Sequence, residues 1–315
     1  MRLDKKLQQL YPKISRSQLS KLISAGRVMV NGKTVLKVSR NVLDEDTLTC
    51  DENEKDSEES ALDSVERAKK VKSLNQKLDI LYECDDYLVI NKQKGVSVHP
   101  AENTPKEEIT IVDMALLHCD GKLSSVSDNN TRPGIVHRLD KDTTGILIIA
   151  KNNIFHAHLA KQIEERKVEK KYRALVLGQP QDGYINAPIY RSVKDRKKMA
   201  VRAGGKESQT EFKLLKYYPE YNISLLDVSL ITGRTHQIRV HFSAIGHSVV
   251  GDVVYGNRKI NERFKKDFGV LSQLLHAYEY SFTDLEGENK HFIASVPSLF
   301  NSIDSQARVD TIEAN

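Results

Sequence analysis

An α+β protein in two parts is what this sequence predicts: a large domain on a mixed, largely antiparallel sheet, behind a small N-terminal α/β unit. Three observations carry that expectation. Residues 76–300 hold several β-type runs with amphipathic helices set between them. Residues 1–50 carry ten Lys and Arg against four Asp and Glu, whereas residues 51–66 carry eight acids against one Lys, so the composition breaks near residue 50. At 315 residues the chain is long enough for two domains with one substantial core.

In the N-terminal unit, residues 1–50, Ser15 and Gln18 stand at capping-box spacing. Leu19, Leu22 and Ile23 then form an i, i+3, i+4 stripe, and Gly26 is a helix stop. Val28 and Val30 alternate before an Asn31-Gly32 turn, which predicts a hairpin. Residues 51–75 have few large apolar side chains and many charges, so they bury too little to offset ordering entropy; an acidic flexible linker is expected, with helix near 61–72. Ile80–Glu83 and Tyr87–Lys92 flank Cys84-Asp-Asp86 as a second hairpin. Ile146–Ala150 is a continuous apolar run, and Phe155, Leu159 and Ile163 recur every fourth residue, which predicts a helix. Tyr172, Ala174 and Val176 alternate in a strand, and Ile223–Ile231 is another. A helix then carries Ile238, Phe242 and Ile245 on one face and stops at Gly246. The large domain is expected to span 76–300, with 301–315 as a C-terminal tail.

Composition excludes several classes. Cys50, Cys84 and Cys119 are widely spaced, with neither a zinc pattern nor a disulfide framework. No run of about 18 apolar residues exists to span a bilayer, and the N-terminus lacks the apolar core of a signal peptide, so the cytoplasm is the expected location. His137, His236 and His241 do not place two imidazoles on one helical face at four-residue spacing, so no metal site is expected. Net charge is only +5, and its concentration in the first fifty residues is what points to a nucleic-acid partner. Oligomeric state is left open, a monomer being the simplest expectation.

The most informative segment is Arg132-Pro-Gly-Ile-Val-His-Arg-Leu-Asp-Lys-Asp-Thr-Thr-Gly145, which sets Asp140 in a tight turn ahead of the apolar run. A second motif is Thr232-Gly-Arg-Thr-His-Gln-Ile-Arg-Val-His241, continuing through Gly251-Asp-Val-Val-Tyr-Gly256; Lys171-Tyr172-Arg173 and Leu275-His-Ala277 accompany them. Together these resemble the RluA-type RNA pseudouridine synthases over roughly residues 76–300, with Thr144 a conservative departure where that family often has Ser. The helix, glycine stop, Arg27 and Asn-Gly-Lys33 of the N-terminal unit resemble an S4-type RNA-binding domain.

The resemblance implies isomerisation of uridine in RNA, with large-subunit ribosomal RNA as the expected substrate and with no cofactor and no metal. It makes Asp140 the catalytic carboxylate. Attack on ribose C1′, addition to the uracil ring and proton abstraction from the sugar all need such a group, and the residues do not choose among them. Arg234 falls on the position expected to pair with Asp140 and keep it ionised against desolvation. Tyr172 falls where a ring packs on the base and a hydroxyl assists at C5. Arg138 matches a residue that enters the space left by a flipped nucleotide. His137 is assigned to substrate or structure, and Leu275 to an apolar wall. Arg16, Lys21, Arg27 and Lys33 would form the phosphate-gripping face of the S4-type unit, and Lys197 and Lys198 a basic loop on the larger domain.

Two rivals carry less. A non-catalytic RNA-binding or ribosome-assembly factor keeping the fold would be expected to have altered Asp140 or Arg234. A hydrolase using Asp140 and Asp142 would have both carboxylates in one turn, not on opposite sides of a glycosidic bond.

Overall fold

A computed structural model describes residues 1–11, 16–24, 26–50, 71, 77–100, 105, 108–125, 132–193, 195, 198–303 and 305. Ser15, Lys197, residues 304 and 306–315 of the expected C-terminal tail and, apart from Val71, the expected linker lie outside them, as do the side chains of Arg16, Gln18 and Lys21; residues 301–303 of that tail are helical, with Ile303 buried beside Phe300.

The N-terminal unit builds its own core. Helices α1 (Leu3–Leu10) and α2 (Arg16–Ser24) pack on a three-stranded antiparallel sheet of β1 (Val28–Val30), β2 (Lys33–Thr34) and β3 (Leu48–Cys50) in the order β2-β1-β3. Leu3, Leu7, Leu19, Ile23, Val28 and Val30 are buried together. Asn31 and Gly32 both have positive φ, 52° and 75°, and Val30 pairs with Lys33, which makes the Asn-Gly dipeptide a two-residue hairpin turn.

The larger unit centres on a nine-stranded sheet: β4 (Ile80–Glu83), β5 (Tyr87–Lys92), β6 (Thr144–Ala150), β7 (Glu169–Leu177), β8 (Gly183–Asn186), β11 (Gln209–Tyr218), β12 (Ile223–Leu230), β13 (Leu275–Thr283) and β14 (Asn289–Ile293). Its order is β4-β5-β6-β13-β7-β12-β11-β8, with β14 pairing the far half of β13. The β6–β13 pair is parallel and the others are antiparallel, so the sheet is mixed and the fold is α+β. β9 (Ile189–Arg191) and β10 (Met199–Val201) form a separate hairpin.

Both faces of the sheet's centre are covered, which is why β5 and β6 read as continuous apolar runs. Leu88, Ile90, Leu147 and Ile149 face one core, with α3 (Ile111–His118) and α5 (Gln237–Ala244); Tyr87, Val89, Ile146 and Ile148 face the other, with Phe155 and Leu159 of α4 (Asn153–Glu164). Helix α6 (Arg258–Phe268) packs Phe264 against Tyr221. Val71, within the expected linker, is helical and buried in the first of these cores. Ile245, expected on the buried face of α5, is 40% exposed, because the helix ends at Ala244 and leaves it at the C-cap.

One glycine decides how the site is assembled. Gly145 has φ 112°, and a Cβ there would lie 2.1 Å from the Ala277 carbonyl oxygen. Only glycine lets the start of β6 lie against β13, which draws the Asp140 turn to the sheet's edge of the cavity described next.

Candidate active site

The Asp140 turn closes with Thr143 N–H donating to the Asp140 carbonyl at 3.1 Å. Behind it Lys92, 1% exposed, donates from Nζ to the carbonyls of Gln93, Val96 and Lys141 at 2.8, 2.9 and 2.8 Å. That buried ammonium ties the residue after Asp140 to the end of β5. Burial lowers its pKa to about 8, against the opposing charges of Asp142 and Asp140.

Asp140 opens into a cavity of about 560 Å³ whose walls include His137, Arg138, Lys170, Tyr172, Arg234, His236, Arg239 and Leu275. The six residues that the sequence assigned to catalysis and substrate therefore meet in one place. Their pairing differs from expectation. The guanidinium on Asp140 belongs to Arg239, whose Nη1 donates to Oδ2 at 2.8 Å. Arg234 is exposed, and its Nε donates to the Glu207 carbonyl at 3.0 Å. The reason is local geometry. Arg234 lies in the loop before α5, where its N–H donates to Gln237 Oε1, whereas Arg239 lies inside the helix, 5% exposed, facing the Asp140 turn.

Arg239 also forks onto Asp252, with Nε to Oδ2 at 2.7 Å and Nη2 to Oδ1 at 2.9 Å. Asp252 is fully buried and further accepts from the amides of Val254 and Tyr255. Burial works against both charges. The Arg239 bond and charge outweigh it at Asp252, with help from the two amides, and hold that carboxyl below the usual range. Asp252 and then Asp140 likewise outweigh it at Arg239, whose pKa is raised. The bidentate contact thus fixes the arginine, and the arginine in turn fixes a single oxygen of Asp140. Among the described residues the other oxygen accepts no hydrogen bond, and His236 Nε2 lies 3.9 Å from it.

Tyr172, 7% exposed, has its hydroxyl pKa raised by burial and then by the Asp140 charge, so it stays a neutral phenol. His137 accepts the Ile148 amide on Nε2 at 3.0 Å and packs on Tyr280; burial, then the charge of Lys170, pushes it down to about 3. It is a neutral wall of the cavity. Arg138 is exposed, with Nη1 donating to His99 Nε2 at 3.3 Å. Leu275 is 5% exposed. His236 sits in the left-handed region, φ 56°, as the N-cap of α5, with Nδ1 2.8 Å from the Tyr255 hydroxyl.

Away from the cavity, Arg27 is half-buried, Lys33 is exposed on β2, and Lys198 is half-buried beside the β9–β10 hairpin. The sequence reading passed over Arg239, Asp252 and Lys92. Arg239 stands in the second motif beside Arg234, and its spacing alone does not single it out.

Residues 86–244 match the RNA pseudouridylate synthase family, and residues 1–48 match the S4 domain. The chain is similar to a protein named "Uncharacterized RNA pseudouridine synthase" from Aquifex aeolicus, 40% identical over 306 residues covering 96% of this chain and 92% of the relative. It is 37% identical over 302 residues to ribosomal large subunit pseudouridine synthase D of Zymomonas mobilis, covering 94% and 90%. Among solved structures, human RNA pseudouridylate synthase domain containing 1 matches with a TM-score of 0.56 at 27% identity, over 71% of this chain and 86% of that one. No helix among the described residues is long and apolar enough to cross a membrane. The chain therefore belongs to the RNA pseudouridine synthase family, with an S4 domain at its N-terminus, and is an isomerase that acts on RNA.

Proposed function

We propose that this enzyme converts uridines of large-subunit ribosomal RNA to pseudouridine, with Asp140 as the catalytic carboxylate. The observation that carries the reading is the Asp140–Arg239–Asp252 array at the wall of a cavity of about 560 Å³. It orients one carboxylate, with one oxygen committed to Arg239 and the other directed at a substrate. The ribosomal target is supported by relatives such as the Zymomonas mobilis protein, named for that activity. Mapping pseudouridines in ribosomal RNA from cells lacking this gene, against cells complemented with it, tests the target. Unchanged large-subunit maps would remove it.

Tyr172 packs on the target base and its hydroxyl assists proton transfer at C5. Tyr172→Phe should therefore lower product formation more than RNA affinity, because the ring survives and the hydrogen-bonding group is lost. Small and equal effects on both would leave Tyr172 as packing. Arg138, exposed at the cavity mouth, enters the stack when the nucleotide flips, and His137 and Leu275 shape the pocket around the base.

The S4 domain, with Arg16, Lys21, Arg27 and Lys33, and the loop with Lys197 and Lys198, grip phosphates and position the RNA. Residues 1–50 and 76–300 act as separable units joined by 51–75. Deleting 1–60 should leave a folded catalytic unit, since Val71 and its core are kept. Apparent affinity measured at several salt concentrations should then be weaker with a shallower salt slope, because six net positive charges are removed with residues 1–50. Coincident slopes would mean that the N-terminal unit touches no phosphate.

A further inference from the structure

Lys170 is a buried cation for which the described residues supply no counterpart. It lies two residues before Tyr172 in β7, so the two side chains leave the strand on the same face, and both line the cavity. It is 9% exposed, yet among the described residues no carboxylate or carbonyl accepts a hydrogen bond from its Nζ. Lys92 shows the contrast, since it spends its Nζ on three carbonyls. His137 offers no acceptor either. Its Nε2 is taken by the Ile148 amide, so the neutral ring carries its proton on Nδ1. Burial lowers the Lys170 pKa to about 8, which still leaves an ammonium at neutral pH. A buried, unpaired charge is costly to the fold. It is understandable where the substrate supplies the missing partner.

Pseudouridine formation generates such a partner. When the N1–C1′ bond breaks, both electrons stay with the base, and the negative charge spreads from N1 onto O2 and O4. The base then turns about its N3–C6 axis, C5 bonds to C1′, C5 gives up its proton and N1 takes one up. No oxidant or co-reactant enters. That turn exchanges O2 and O4 in space, so one cation on the wall meets a carbonyl oxygen both before and after it. A lysine suits this task, because an ammonium is a point charge that needs no planar match.

We infer that Lys170 is a catalytic residue whose Nζ donates to an exocyclic oxygen of the detached uracil anion and stabilises it while the ring turns. The inference rests on the reading of this cavity as the uridine site. A phosphate is the weaker candidate. The RNA chain must enter and leave on both sides of the flipped nucleotide, and the cations placed for it are Arg138, Arg166 and Arg234, all exposed at the mouth. Lys170 stands inside with Tyr172.

The test uses the full-length protein with Lys170→Met and Lys170→Arg. Large-subunit ribosomal RNA, small-subunit ribosomal RNA and transfer RNA are offered to the wild type first, and the RNA on which it works is used for the variants. Three quantities are read: single-turnover rate at saturating RNA, RNA dissociation constant and melting temperature. Lys170→Met should slow the single turnover by about 10²-fold, the scale of losing one charge-stabilising donor. Its RNA affinity should stay near wild type and its melting temperature should hold or rise, since an unpaired buried charge is gone. Lys170→Arg should recover part of the rate. A Lys170→Met rate near wild type would overturn the inference. So would weaker RNA binding with an unchanged saturated rate, which marks a phosphate contact, or a lower melting temperature with no recovery by Lys170→Arg, which marks a structural lysine. Asp140→Asn run alongside separates the two readings: if it stays active the assignment of the cavity fails, whereas if it is dead and Lys170→Met is normal only Lys170 is reassigned.

Discussion

Asp140→Asn should abolish pseudouridine formation while RNA binding changes little. The substitution keeps the volume and one oxygen, so Arg239 Nη1 can still donate there and Arg239 stays forked on Asp252. What is lost is the carboxylate oxygen that acts on the substrate. Removing that step should slow turnover by about 10⁴-fold or more, several kcal/mol of barrier. Tritium release from uracil C5 on a ribosomal RNA transcript measures it. Residual turnover within about tenfold of wild type would sink the assignment of Asp140 as the acting carboxylate, since no general-acid or packing role of that size would survive as the sole contribution.

Much of the frame was legible because its signals are local. The Val28/Val30 alternation with Asn31-Gly32, the Tyr87–Lys92 hairpin and the Phe155/Leu159 stripe each predict an element from neighbouring residues alone, and each is where the pattern puts it. The sheet's connectivity was not legible. β6 meets β13 across more than 130 residues, and the only trace of that contact is Gly145, whose missing side chain looks like an ordinary turn residue until Ala277 is set beside it. The site follows the same division. Asp140 and Tyr172 stand in motifs long enough to be recognised by themselves. The arginine partner does not, because choosing between Arg234 and Arg239 requires knowing where α5 begins and which of its faces meets the Asp140 turn. Arg239 touches a residue 99 positions before it and another 13 after it, and neither spacing is a pattern in the chain. Lys170 was passed over for a related reason: a strand lysine is ordinarily solvent-facing, and only the packed sheet makes it buried.

The pairing of Asp140 can be decided by two lysine substitutions that keep the charge. Arg239→Lys should be nearly inactive, about 10²-fold or more below wild type, because one ammonium cannot bond Asp252 through two nitrogens and Asp140 through a third. It should also destabilise the fold by about 1–3 kcal/mol, since Asp252 is fully buried and loses half of its fork. Larger deletions at the same position are less informative, because they leave Asp252 with an uncompensated charge and confuse folding with chemistry. Arg234→Lys should instead stay within about tenfold of wild type in single-turnover rate, with its effect falling on RNA affinity, as suits an exposed cation whose Nε donates to the Glu207 carbonyl. The same transcript and assay serve both variants, with a denaturation curve for each. If Arg234→Lys were dead and Arg239→Lys active, the array built on Asp252 would be a structural brace of the β13 side of the fold. The acting partner of Asp140 would then be the loop arginine, brought in only when RNA closes the cavity.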